Sequence, residues 1–215
     1  MLILQKATLA LIIFTLVPNV GCKTQAIEPE PSWTTPTTEM SYAKPYLVLG
    51  EGNMVNERAD RKVGLWFIVS KDATSYEEWA QTAIQAVRDL YCLYGRDYTS
   101  VDLIPNDKLE YAIDYAQVSY ASDGKGALGM TGDTPAKEMY WKVRAAVQPL
   151  TRQELAIAEL WSEKMRDFPN KNPISSLSYD EKALRQYVAD KLNISVAEVI
   201  FPQIIYKEYK YDERL

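Results

Sequence analysis

Val63-Gly-Leu-Trp-Phe-Ile-Val-Ser70, then Ser75-Tyr-Glu-Glu-Trp79 opening a periodic stretch that runs to Tyr94, then Tyr98-Thr-Ser-Val-Asp-Leu-Ile104: these three runs decide the fold. Leu65 to Val69 is continuously apolar and rich in aromatic and β-branched side chains, the pattern of a strand covered on both faces. Ser75 and Glu78 have capping-box spacing, in which the hydroxyl takes an orphan amide of the first turn and the carboxylate reaches back to the cap's own amide. A helix therefore starts there. Trp79, Ala83, Val87, Leu90, Tyr91 and Tyr94 recur every three or four residues as one apolar stripe, which leaves Glu77, Gln81, Gln85, Arg88 and Asp89 for the opposite side. Gly95 supplies the left-handed stop. Strand, helix and strand make a βαβ-like unit, although spacing alone does not say whether the two strands are neighbours.

Working outward, Tyr46-Leu-Val-Leu49 reads as a short strand, and the polar Asn53 to Lys62 as a loop or exposed helical turn. Pro105-Asn106-Asp107 makes a turn. From Leu109 to Tyr120, Ala112, Ala116 and Val118 alternate with Tyr111, Ile113 and Tyr115, which predicts a strand. Tyr140 to Ala145 alternates again, and the two read as antiparallel partners joined by the long glycine-rich loop Ser122 to Glu138. Thr151-Arg-Gln-Glu154 and Ser178-Tyr-Asp-Glu181 are capping boxes for two further helices, with Leu150 and Leu155 placed as a hydrophobic staple. Ser195 to Glu198 opens a short turn, and Phe201 to Tyr211 is a candidate last strand. The fold class is thus α+β: a mixed or mainly antiparallel sheet with a central amphipathic helix, followed by a C-terminal helical segment.

The chain has 215 residues and a net charge of −5, with no histidine and two cysteines, Cys22 and Cys92. Its basic residues are dispersed, so no positive stripe for phosphate contacts forms and nucleic acid is not an expected partner. Without imidazole, the commonest general base and the commonest metal ligand are both missing. Two thiols cannot build a zinc cluster. No metal and no cofactor are expected.

Ala7 to Val17 is apolar, preceded by Lys6 and followed by Pro18-Asn-Val-Gly-Cys22, the layout of an export signal. It falls short of the roughly 20 apolar residues of a spanning helix. Gly21-Cys22 directly after it resembles a bacterial lipoprotein cleavage site, with Cys22 the lipid-attachment residue, although Asn19 departs from the aliphatic residue that pattern favours. Cleavage after Ala26 is the competing possibility. Residues 1–21 are read as a signal of lipoprotein type, 22–45 as a Pro/Thr-rich tether, 46–149 as the α+β domain, and 150–215 as a C-terminal helical extension packed on it. Cys92, within the central helix, reads as a buried inert thiol.

Gly124-Lys-Gly126-Ala-Leu-Gly129 has the letters of a dinucleotide fingerprint, but turn chemistry, Met130 to Pro135, follows where a helix must start. Asp123, Lys125 and Asp133 in this loop are the candidate ligand-binding residues, because loops on a rigid sheet carry function. Asp102 and Asp114 are paired carboxylates suited to acid–base work only if burial raises one of them and the fold places them together. No catalytic residue is assigned.

Gly64-Leu-Trp-Phe-Ile-Val-Ser70, Thr74-Ser-Tyr-Glu-Glu78, Gln81-Thr-Ala83, Tyr120-Ala-Ser-Asp-Gly-Lys-Gly126, Tyr140-Trp-Lys-Val-Arg-Ala145 and Leu150-Thr-Arg-Gln-Glu154 together resemble a bacterial and phage family catalogued as a domain of unknown function. The resemblance covers Val63 to Phe168 and implies a bacterial setting, with no activity or site residue to carry over. The expectation is a bacterial envelope lipoprotein, membrane-anchored through Cys22, whose non-enzymatic domain binds a protein or envelope component. The alternatives are an exported or periplasmic enzyme using carboxylate and lysine chemistry near the glycine-rich loop, or a soluble inhibitor or immunity-type protein.

Overall fold

The structure, a computed structural model, describes residues 40–56, 61–109, 113–130, 132–171 and 179–215. The signal segment, Cys22, Tyr111, Ala112 and Ser178 lie outside the described residues. The elements are β1 (Leu47–Asn56), β2 (Arg61–Val69), α1 (Tyr76–Tyr94), β3 (Tyr98–Leu103), β4 (Ala116–Ala121), β5 (Trp141–Ala146), α2 (Arg152–Lys164), α3 (Glu181–Leu192) and β6 (Tyr206–Glu208). The strands form one sheet in chain order, β1-β2-β3-β4-β5-β6. Every neighbour pair is antiparallel except β2 and β3, which run parallel because α1 carries the chain back between them. The two strands of the βαβ unit are therefore adjacent, and β2 is an interior strand whose Val63, Trp66, Phe67 and Ile68 are buried.

α1 lies on one face, against β3, β4 and β5. Trp66, Ile68, Val101, Leu103, Val118, Tyr120, Trp141 and Val143 rise from the sheet to meet Trp79, Ala83, Val87 and Leu90 of the helix. Burying each such large side chain stabilises the fold by roughly 1.5–3 kcal/mol, so this layer is the main core. Gly95 ends α1 in the left-handed conformation, φ 57°, and donates its amide to Tyr91 O. At the start, Ser75 caps Glu78 N, but Glu78 does not return to the Ser75 amide. Its carboxylate accepts from the amide and hydroxyl of Thr74 and pairs with Lys44 at 2.9 Å.

Much of the solvent face expected for α1 is covered. Gln85 and Arg88 are buried alongside the apolar stripe, because two terminal straps cover the helix. The first, Met40 to Tyr46, belongs to the body rather than to a tether: Met40, Ala43 and Tyr46 are buried. Tyr42 N donates to Gln81 Oε1, Lys44 N to Thr82 Oγ1, and Tyr46 OH to Asp89 Oδ2. The second strap follows β6. There Tyr209 OH accepts from Gln81, and Arg88 donates to Tyr211 OH and Glu213 Oε2 at 2.8 and 2.9 Å.

Other sequence expectations are corrected by pairing. β1 runs on to Asn56, opposite Arg61, so most of the supposed loop is a long hairpin. The strand expected from Leu109 begins only at Ala116. Leu109 sits in a 3-10 turn and packs with Ile113 against Ala158 of α2, since its side chain is needed between the sheet and the helical part. The last strand is three residues long. α2 has the predicted capping box, and so does the turn at Ser195. α3 is capped instead by Asp180, which accepts from Ala183 N. α2 and α3 enclose a second cluster of Ile157, Trp161, Leu184, Val188 and Val199.

Candidate functional site

The sheet face opposite α1 is where the strands place their polar residues. β3 alternates strictly, with Thr99, Val101 and Leu103 buried and Tyr98, Ser100 and Asp102 turned to the outer face. In register, Asp102 is paired with Gln117, Gln117 with Arg144 and Arg144 with Glu208, while Ser100, Ser119 and Lys142 form the next row. These rows floor an open cavity of about 1100 Å³, rimmed by Lys137, Glu138 and Met139 of a 3-10 turn and by Lys210 and Asp212 of the C-terminal strap.

At one end of this floor the two carboxylates come together. Asp114, just before β4, accepts from Tyr206 OH at 2.6 Å and from Gln117 Nε2 at 2.7 Å. Asp102 has no hydrogen bond or ion pair among the described residues, although it lines the cavity. Burial, and then the negative charge of Asp114, push the Asp102 carboxyl up to about 7, against the pull of Arg144. Asp114 is also raised by burial, with Tyr206, Gln117 and Arg144 opposing. Burial and the hydrogen bond to Asp114 raise Tyr206, so it stays a neutral donor. Arg144 makes no ion pair with either carboxylate: its guanidinium lies over the Tyr206 ring, 4.5 Å from the centroid.

The loop candidates sit elsewhere and are turned to structural contacts. The Asp123 carboxylate takes both terminal nitrogens of buried Arg61, at 2.6 and 3.1 Å, and the amide of Lys125. Partial burial pushes Asp123 up, but Arg61 and Lys125 outweigh it and hold the group below its ordinary range. Lys125 Nζ donates to Met130 O, and Asp133 accepts from Met130 N. None of the three lines the cavity. Gly124 and Gly126 have φ of 67° and 72°, and no helix opens between Ser122 and Met130, so the fingerprint letters form a folded turn. Sequence reasoning singled out neither Arg144 nor Gln117. The polar alternation of Ser100 with Asp102, and of Lys142 with Arg144, was the available signal, but it does not say which residues face one another.

Cys92 is half-buried and disulfide-bonded, not a free thiol as expected, and the chain's other cysteine, Cys22, lies outside the described residues. Among the described residues no helix is long and apolar enough to cross a membrane.

The domain of unknown function DUF4875 matches residues 41–204. The chain belongs to that family. The match begins within the first strap and extends past α3, well beyond the stretch from Val63 to Phe168 that carried the resemblance. The fold is similar to the crystal structure of a DUF487 family protein from Desulfovibrio piger, with a TM-score of 0.59 and 24% identity, covering 78% of this chain and 96% of that one. At that identity the likeness concerns the fold alone. No curated protein matches.

Proposed function

We propose that this DUF4875 protein is a bacterial envelope lipoprotein, anchored through Cys22, whose domain binds a ligand on the outer face of its sheet. The observation that carries the binding role is the cavity over β3, β4, β5 and β6, with a carboxylate on its floor that no group among the described residues satisfies. A sheet face stabilised only by its own packing has no need of such a group, because an unpaired, partly buried carboxylate opposes folding. The anchoring role rests on Gly21-Cys22 behind the apolar segment; acyl chains contribute about 0.8 kcal/mol per buried methylene. Palmitate-analogue labelling of cells expressing wild type and Cys22→Ala tests it: signal confined to wild type supports the anchor, and equal signal removes it.

The disulfide at Cys92 counts against this anchor, since the chain's only other cysteine sulfur is that of Cys22. A thioether-linked Cys22 has none to offer, so acylation and a Cys22–Cys92 bond exclude each other. The mass of the mature protein, taken without reductant, separates an acylated amino terminus from an unacylated protein exported to an oxidising compartment. The pairing of Asp102 with Asp114 favours an enzymatic reading as the second choice, since a carboxyl near neutrality suits general acid–base work. Turnover of ester, amide or glycoside substrates that Asp102→Asn abolishes would establish that reading in place of the first.

A further inference from the structure

We propose that the outer-face cavity takes a protonated primary amine, with Asp102 as the residue that receives it. This rests on the reading of that face as a binding surface and names the chemistry of its ligand. Asp102 on the floor has Asp114 and one guanidinium, that of Arg144, as its charged neighbours, so with both carboxylates ionised the cluster is one positive charge short. Glu208, paired with Arg144 across the β5–β6 register, adds to the deficit. Tyr206 is neutral and Phe67, opposite Asp102 on β2, is apolar. No lysine forms an ion pair with either carboxylate among the described residues: Lys142 lies one row away, Lys137 is paired with Asp212 at 3.9 Å, and Lys210 stands on the rim without reaching Asp102 or Asp114.

The geometry separates the two carboxylates. Asp114 has its donors, Tyr206 and Gln117, whereas Asp102 has acceptor capacity open to the cavity and no donor among the described residues. An alkylammonium offers three donors and one positive charge in a compact head, which matches what is missing. In its absence a proton substitutes, which is why the group holds one up to about 7. Binding at Asp102 therefore displaces that proton, and affinity rises with pH: the carboxylate is roughly one-tenth ionised at pH 6 and nine-tenths at pH 8, so binding tightens about tenfold between them.

The test is a backbone-amide shift titration of the full-length chain in detergent micelles. The probes are n-butylamine and Nα-acetyl-lysine N-methylamide at pH 6 and pH 8, with the Nε-acetylated lysine derivative and acetate as uncharged and anionic controls. Saturable shifts at Ser100, Asp102 and Arg144 with either amine, about tenfold tighter at pH 8, absent with the Nε-acetylated control and lost in Asp102→Asn, support the proposal. Binding of butylamine alone identifies a small amine, and binding of both a lysine side chain. No saturable shift with either amine, or undiminished binding in Asp102→Asn, overturns it. Acetate shifting the same amides while the amines do not would overturn the amine and leave the binding face standing, and none of these outcomes depends on acylation at Cys22.

Discussion

Replacing Asp102 by Asn removes a charge from the cavity floor and keeps the side chain's shape. Folded Asp102 retains its proton up to about 7, whereas an unfolded aspartate loses it near 3.8. The folded state therefore binds more protons between those values, so the group's contribution to stability falls as pH rises through that window and is level above it. Each pH unit is worth about 1.4 kcal/mol, which gives a ceiling of about 4 kcal/mol against folding at pH 8, and water entering the open cavity makes the loss smaller. Asn stays neutral throughout. Asp102→Asn is accordingly expected to be about 2–4 kcal/mol more stable than wild type at pH 8 and nearly equal to it at pH 4. Urea denaturation at pH 4, 6 and 8, with the m-value held constant, measures this directly. A stability difference that is the same at all three pH values, or a loss at pH 8, would refute the account of Asp102 as a desolvated carboxylate without a partner.

Three further outcomes follow from the packing. Thr99 is fully buried against α1 and its hydroxyl has no hydrogen-bond partner among the described residues, so Thr99→Val is expected to stabilise the protein by about 1 kcal/mol in the same denaturation assay. A Cβ at Gly64 would fall 1.9 Å from the Trp66 indole, which is buried and stacked on Tyr94; Gly64→Ala is expected to cost about 2–3 kcal/mol and to alter the tryptophan fluorescence. Deleting residues 213–215 takes Glu213 from Arg88, the Glu213 carbonyl from Trp141 and the Leu215 carbonyl from Tyr120; a loss of about 2–3 kcal/mol and faster amide exchange along α1 are expected.

The elements themselves are written locally. The run Leu65 to Val69, the stop at Gly95, the box at Thr151 and the short run Tyr98 to Ile104 each depend on residues within a few positions of one another, and these elements formed as the pattern predicts. Where a reading went astray, a distant group had intervened. Leu109 and Ile113 alternate as a strand would, yet they leave the sheet to pack on Ala158. Gln85 and Arg88 look like a solvent face, yet the strap from Met40 to Tyr46 and the strap from Tyr209 to Leu215 close over them.

The candidate site follows the same division. From sequence alone, Asp102 and Asp114 were two strand-region carboxylates with nothing to place them together, and the glycine-rich loop drew attention to Asp123, Lys125 and Asp133. That composition and periodicity make this an α+β chain with a helix between two strands follows from side-chain spacing, a property of neighbours. That Asp102 lies beside Asp114 and Arg144, under an open cavity and without a donor among the described residues, follows from the register of β3, β4, β5 and β6. Register is set by which whole faces can be buried at once, and no local stretch of the chain carries that information.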